Sequence, residues 1–248
     1  MDNPTKHLYE QTAYSHHKGS VVSPVKVAAS WSGGKDGCFA CYKAMQQGFE
    51  VVSLLTFMSG EGKSNFHRLP SELLDAQSAM VGIPLVKRKT AKGTYEQEFK
   101  SALRQLKAAG VEGLVTGDIY EVSQHEEGWL ERVCEEVGVK PVKPLWRCDT
   151  RQLLRDFIDQ GFGATVVKVK AEVLGEEWLG REVNSQFFSD IVKLGNVDPC
   201  GERGEYHTCV TDGPLFSKSI RLVETKKTFQ GGFGFLSVGR FEVCAKSV

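Results

Sequence analysis

Long apolar runs are missing from this 248-residue chain: nothing in it approaches the roughly 20 consecutive apolar residues that a membrane-spanning helix needs. A helical span is excluded, and a soluble protein is expected. Charge of one sign is missing as well. The 31 Lys+Arg balance 31 Asp+Glu to a formal net charge of +0 at pH 7, so no overall field draws the chain onto nucleic acid or an anionic bilayer, and any such binding must be local. A paired cysteine framework is also absent. The seven cysteines (Cys38, Cys41, Cys134, Cys148, Cys200, Cys209, Cys244) are odd in number and scattered, and the chain opens on polar residues instead of a charged segment followed by an apolar one. This pattern implies reduced thiols and a cytoplasmic location. Internal repeats and low-complexity tracts are lacking too.

What is present describes an ordinary globular protein, 41% hydrophobic and 25% charged, of a length that suits one or two domains at about 150 residues each. The 26 glycines exceed the usual share of roughly 7% and imply tight turns and close backbone approaches. Residues 1–23, with no apolar periodicity, predict a mobile leader. From Val25 the pattern alternates: a strand to Ser30, a helix from Cys38 to near Gly48, a strand over Val51–Phe57, a helix capped by Ser71 and closed by Gly82, and a strand over Ile83–Val86. A helical stripe of Tyr95, Phe99, Ala102, Leu103 and Leu106 ends at Gly110, and a strand follows over Val111–Gly117. Strand–helix alternation of this kind predicts an α/β fold, a Rossmann-like parallel sheet with helices on both faces, over residues 24–137. A second, smaller α+β domain is expected over 138–225, and Gly231-Gly232-Phe233-Gly234 predicts a terminal hairpin within 226–248.

Ser32-Gly33-Gly34-Lys35-Asp36-Gly37 falls directly between the first strand and the first helix. Two adjacent glycines let consecutive N–H groups converge, and the helix that follows adds its unsatisfied N–H groups and positive dipole end, so an anion fits there. Lys35 is read as the mobile positive charge of this loop, Ser32 as a further donor, and Asp36 as an anchor or a magnesium ligand. Two other nucleotide motifs fail: Gly62-Lys63-Ser64 lacks the upstream glycine of a Walker A loop, and no Gly-x-Gly-x-x-Gly follows a strand.

Asp118 is placed at the carboxyl end of the fourth strand, facing the same crevice. On strand geometry Glu205 and His207 share one face, suited to binding a metal, orienting an amine or moving a proton, with Glu202 folding back toward them. A solvated loop with a satisfied histidine is the alternative. Cys38 and Cys41 form a lone C-x-x-C with no second pair, read as buried apolar residues. His67 and Arg68 are candidates for contacting substrate or phosphate, and Arg181 for clamping an anion or forming a structural ion pair.

Ser32-Gly-Gly-Lys-Asp36 resembles the PP-loop of ATP pyrophosphatases, which cleave ATP to AMP and pyrophosphate. More of the chain agrees in order, from about Val25 to Phe216: Gly117-Asp118-Ile119, Pro144-Leu145-Trp146, Trp178-Leu179-Gly180-Arg181, and Gly201-Glu202-Arg203-Gly204-Glu205-Tyr206-His207-Thr208 followed by Asp212-Gly213-Pro214. Together these resemble the diphthine–ammonia ligase (diphthamide synthetase) family. Two departures stand out. Gly37 replaces the serine that usually ends the loop, so Gly37→Ser is expected to be tolerated and to tighten nucleotide binding. His207 stands where the family favours an acidic residue, which points to a paralogous branch with another amide-forming substrate, as in corrinoid metabolism.

The resemblance implies ATP and Mg²⁺ as cofactors, held by Ser30, Ser32, Gly33, Gly34, Lys35, Asp36, Gly37, Gly117 and Asp118, with Asp36 and Asp118 on the metal. It implies Lys35, Asp118, Glu202, Glu205 and His207 as catalytic residues. The implied partners are ammonia, free or delivered by another protein, and a carboxylate, on a modified histidine of an elongation factor or on a small molecule. A homodimer is left open. A paralogous amide ligase or amidohydrolase-type enzyme of small-molecule (corrinoid) metabolism, PP-loop sulfur transfer to tRNA and a non-enzymatic adenine-nucleotide sensor are the alternatives; the absence of a basic face argues against sulfur transfer.

Overall fold

The computed structural model describes residues 23–60, 62–65, 67–91, 93–121 and 126–246, so the leader expected over 1–23 lies, apart from Ser23, outside the described residues. Strands β1 (Lys26–Ser30), β2 (Glu50–Met58), β3 (Leu85–Lys89), β4 (Gly113–Val115) and β5 (Lys140–Val142) form one parallel sheet in the order β3-β2-β1-β4-β5. They alternate with α1 (Lys35–Gln46), α2 (Ser71–Val81), α3 (Tyr95–Ala108) and α4 (Trp129–Val137). This is the Rossmann-like α/β fold the alternation predicts. The central strand reads Val27-Ala28-Ala29, fully buried on both faces, as a parallel strand covered on both sides must be. Val27 and Ala29 join the core under α1 and α2, whereas Ala28 joins Phe99, Leu103, Leu130 and Val133 of α3 and α4 on the other face.

Strand order reverses between β1 and β4, so the crevice for a ligand opens outside their carboxyl ends. The segment after β1 carries the glycine loop, and the segment after β4 carries Gly117 and Asp118.

Several local readings shift. Helix α1 starts at Lys35, not Cys38, because Gly33 (φ +81) and the extended Gly34 complete the turn at once. Pro70, not Ser71, holds the N-cap position of α2; Ser71 is the first helical residue, and its hydroxyl accepts a bond from Lys87 Nζ at 2.7 Å. Strand β3 begins at Leu85, after Pro84, which has no N–H to give a ladder. Strand β5 was not foreseen and carries the first sheet past residue 137; Pro141 is tolerated in it because β5 is an edge strand.

The second sheet is antiparallel, in the order β7-β6-β9-β8, built from β6 (Gly163–Lys170), β7 (Tyr206–Asp212), β8 (Ser219–Gln230) and β9 (Phe233–Cys244). Helices α5 (Thr150–Asp159) and α6 (Ser185–Leu194) pack on it, capped by the Asp149 and Asn184 side chains. The expected hairpin turns at Gly231 and Gly232, both at positive φ. It is longer than a tail, however, since it starts at Ser219 and β9 pairs with β6 inside the sheet. Phe39 of α1 packs edge-on against Phe157 of α5 at 5.8 Å and Phe162 at 5.6 Å, making α1 common to both layers. Among the described residues no helix is long and apolar enough to cross a membrane.

Candidate active site

The glycine loop is shaped from behind by the second sheet. A Cβ at Gly33 would lie 2.7 Å from Leu69 and 2.9 Å from Gln77 Oε1. Fully buried Gln77 donates to the carbonyls of Gly33 (3.1 Å) and Val210 (2.8 Å) and accepts from Trp31 Nε1 (3.0 Å). The edge of β7 that pairs with no strand is used as well: Val210 N–H donates to Gly33 O at 2.9 Å, and Thr208 Oγ1 accepts the Lys35 N–H at 3.0 Å. The N–H groups of Asp36 and Gly37 remain those of a first helical turn, without intrahelical acceptors. On the β4 side, a Cβ at Gly117 would stand 2.6 Å from the backbone of Asp36 and Gly37. Only glycine permits this approach, which brings Asp118 beside the loop. At Gly37 a Cβ would meet Ser30 O at 3.0 Å, and Ser30 is held in β1 by its pairing with Leu55. The expected gain from Gly37→Ser therefore has a steric cost against it.

Lys35 is not the mobile charge the sequence suggested. It is 4% exposed, and its Nζ donates to both oxygens of Asp36 (2.9 and 2.8 Å) and to the carbonyl of Cys200 while lying 5.1 Å from the centre of the Tyr206 ring. Burial works against its charge, but Asp36, with Tyr206, Cys200 and Glu202, outweighs burial and holds the ammonium above the ordinary lysine range. Lys35 thus ties α1 to the segment before β7.

Near this clamp the carboxylates crowd. The Glu202 carboxyl is pushed up to about 8 by burial and by Asp36, with Asp198 and Asp118 adding to the effect against Lys35. Asp118 is raised mainly by burial, which outweighs the Thr116 hydroxyl and Lys143. Among the described residues no three His, Cys, Asp or Glu side chains form a ready metal cage. Mg²⁺ does not need one, since it is held by one or two carboxylates together with waters and substrate phosphates. The crowding of Asp36, Asp118 and Glu202 fits a cation that arrives with a polyphosphate.

This crowding has a pH signature. Folded Glu202 keeps its proton to about pH 8, against 4.5 for the ordinary side chain, so its contribution to stability is complete below pH 4.5 and is lost as pH rises through 8. Glu202→Gln should therefore raise the melting temperature of the nucleotide-free protein above pH 8 and leave it nearly unchanged at pH 4.5, as followed by circular dichroism.

Glu205 does not pair with His207. Its buried carboxylate accepts the N–H groups of Asp198 and Arg203, both at 2.9 Å, and so pins the Asp198–Glu205 loop. His207 turns to His67, with ring centroids 4.9 Å apart and planes at 76°. Burial lowers both imidazoles, with Lys35 and Lys168 adding to it, and takes His67 to about 3, so both are neutral. The expected carboxylate–imidazole face is thus divided: Asp36, Asp118 and Glu202 on one side of the loop, His67 and His207 on the other.

Cys38 and Cys41 are buried in α1, and burial pushes both thiols up, Cys41 to about 12. Arg181 pairs with Asp190 at 2.5 Å and stacks on Trp178, a structural role. Gln77, Lys168 and Asp198 were missed. Gln77 looks like one more polar residue of an amphipathic helix, and only the partners above give it meaning.

Sequence descriptions of the diphthamide synthase N-terminal domain and C-terminal domain match residues 25–141 and 149–243. The diphthine–ammonia ligase of Schizosaccharomyces pombe is 28% identical over 245 residues, 90% of this chain, although the chain spans 40% of that protein. The mouse and human proteins of the same name are 26% and 27% identical over 239 residues, each covering 86% of this chain, and the chain spans 89% of either. A solved structure titled as a predicted subunit of tRNA methyltransferase, from Methanocaldococcus jannaschii, aligns over 77% of this chain and 98% of its own with a TM-score of 0.44 and 17% identity. With both domains of one family matched in order over most of its length, the chain belongs to the diphthamide synthase family.

Proposed function

We propose that this chain is an ATP-dependent ligase of the diphthine–ammonia ligase type, which adenylates a substrate carboxylate and passes the acyl group to ammonia. The observation that carries the reading is the Gly33–Gly34 turn at the β1/β4 switch point, opening α1 and flanked by Asp36, Asp118 and Glu202. Beside it lies a small cleft lined in part by Ser30, Ser32, Thr56, Asn65 and Tyr95, the polar groups we assign to the adenosine end of the nucleotide.

In this reading a carboxylate oxygen bonds to the α-phosphorus as the bridge to the β-phosphate breaks, and pyrophosphate leaves with the electron pair. The convergent N–H groups of the loop and first helical turn stabilise the charge that develops there. Asp36 and Asp118 are the residues that would hold Mg²⁺, which when bound would supply Lewis-acid neutralisation of the phosphate oxygens. Ammonia then attacks the acyl carbon, AMP departs, and the nitrogen gives up a proton. Glu202, beside Asp36 and Asp118, is the group we assign to take it, a role open to its ionised form once bound cations offset the neighbouring carboxylates. Lys35 and Glu205, engaged by contacts within the protein, are the residues we assign to holding the site together.

The acceptor we favour is the carboxylate-bearing modified histidine of an elongation factor, in keeping with the relatives' names. His207 keeps a small-molecule acceptor as the second reading. Sulfur transfer is disfavoured because Cys38 and Cys41 are buried thiols with raised pKa values. Exchange of labelled pyrophosphate into ATP, dependent on a carboxylate substrate, tests the reading: a sensor gives none, and a sulfur transferase requires tRNA.

A further inference from the structure

Lys35 is spent on Asp36 and Cys200, which leaves open what balances the terminal phosphates of a bound nucleotide. The second sheet supplies an answer. Lys168 in β6 pairs directly with His207 in β7 on one side and with Phe235 in β9 on the other. Directly paired residues point to the same face of a sheet, so His207, Lys168 and Phe235 form a row across three strands. The Lys168 ammonium lies 4.5 Å from the centre of the Phe233 ring and 5.9 Å from that of Phe235. No carboxylate among the described residues pairs with it.

The loop before α2 lies across this row. His67 meets His207 edge to face and also abuts Gly34, where even a Cβ would collide with its Nε2. The Arg68 guanidinium lies 5.0 Å from the centre of the Phe235 ring. Arg68 is one of two non-glycine residues at positive φ among the described residues, at +56°, a strained conformation that persists where the surroundings enforce it. Two cations and two neutral imidazoles thus share one wall, and the Nδ1 of His67 is buried there without a hydrogen-bond partner. Burial, and after it the neighbouring Arg68, lower Lys168, as expected of a lysine with no carboxylate beside it.

We propose that Lys168, Arg68, His67 and His207 form an anion subsite that takes the terminal phosphates of ATP and holds pyrophosphate after the α–β bond breaks. The inference rests on the ligase reading for its ligand, but its test does not depend on turnover. The full-length protein is titrated calorimetrically with inorganic pyrophosphate, ATP and AMP. Lys168→Met keeps the stem that packs on Phe233 and Phe235 and removes the charge. It should weaken pyrophosphate and ATP by about tenfold or more, the usual effect of a lost charge-assisted contact, and leave AMP unchanged, while Lys168→Arg restores most of the affinity. Equal pyrophosphate affinity in Lys168→Met and the parent, or an equal loss for AMP, overturns the subsite. Should Lys168→Met fail to fold, Arg68→Asn carries the test, because Arg68 is exposed and asparagine accepts positive φ. It too should lose pyrophosphate and ATP affinity selectively, and unchanged affinity rejects the proposal. Loss of pyrophosphate binding in a protein that shows no substrate-dependent exchange would leave the subsite standing and remove the ligase reading. Normal exchange with unaltered pyrophosphate binding would do the reverse.

Discussion

Glu205→Ala should lose stability by about 2–6 kcal/mol, because two N–H groups, of Asp198 and Arg203, would each be left without their acceptor at about 1–3 kcal/mol apiece. The consequence reaches the site through the loop. Asp198 bonds Cys200 N–H at 2.8 Å and the Thr150 hydroxyl at 3.0 Å, and the Cys200 carbonyl holds Lys35. Once the loop is released, Lys35 and Asp36 lose their anchor, so nucleotide affinity and turnover should fall together. Glu205→Gln keeps one acceptor and turns an NH₂ donor toward one of the two N–H groups, so an intermediate loss is expected. Urea unfolding of the three proteins, combined with ATP titration, measures both effects. A Glu205→Ala protein as stable as the parent, deficient only in turnover, would mean that the carboxylate faces substrate.

Gly117→Ala is expected to have the largest effect on nucleotide binding. The added methyl would sit 2.6 Å from the carbonyl carbon of Asp36 and from the N of Gly37. Both belong to the backbone of the first turn of α1, which cannot swing aside like the end of a side chain. Either β4 retreats, taking Asp118 with it, or the helix N-terminus shifts off the β7 bonds that position it. Overpacking of this kind costs typically about 1–3 kcal/mol. On the proposed reading, misplacing the loop amides and Asp118 should lower ATP affinity by roughly 10²-fold. Calorimetric titration with ATP in the presence of Mg²⁺ reads this directly, with circular dichroism to confirm the fold. Unchanged affinity would show that the approach of β4 to α1 is incidental to binding.

The fold was legible where one signal decided it. Alternation of apolar strands with amphipathic helices gave the parallel sheet, and the glycine pair between β1 and α1 located the loop. Strand β5 was not legible: three residues containing Pro141 carry no strand pattern, and only pairing with β4 defines them. Within the site, the residue types were readable but their directions were not. Lys35 was expected to reach for phosphate, yet the nearest strong acceptors, Asp36 and the Cys200 carbonyl, lie within the protein. Glu205 and His207 were placed on one strand face, but Glu205 precedes the first residue of β7 and turns into its own loop. Lys168 carried no local signal at all. It stands in a strand of alternating valines and lysines, and only its neighbours across the sheet, His207 and Phe235, give it a place in the site.

The central claim, carboxylate adenylation followed by amide formation, is tested most directly by the fate of a carboxylate oxygen. An acceptor protein or small molecule whose carboxylate carries heavy oxygen is incubated with ATP, Mg²⁺ and ammonia, and the nucleotide product is examined by mass spectrometry. Attack of that oxygen on the α-phosphorus predicts AMP carrying one heavy oxygen, pyrophosphate carrying none, and an acceptor converted from acid to amide. Unlabelled AMP alongside an amide, or ADP as the nucleotide product, would contradict adenylation of the carboxylate.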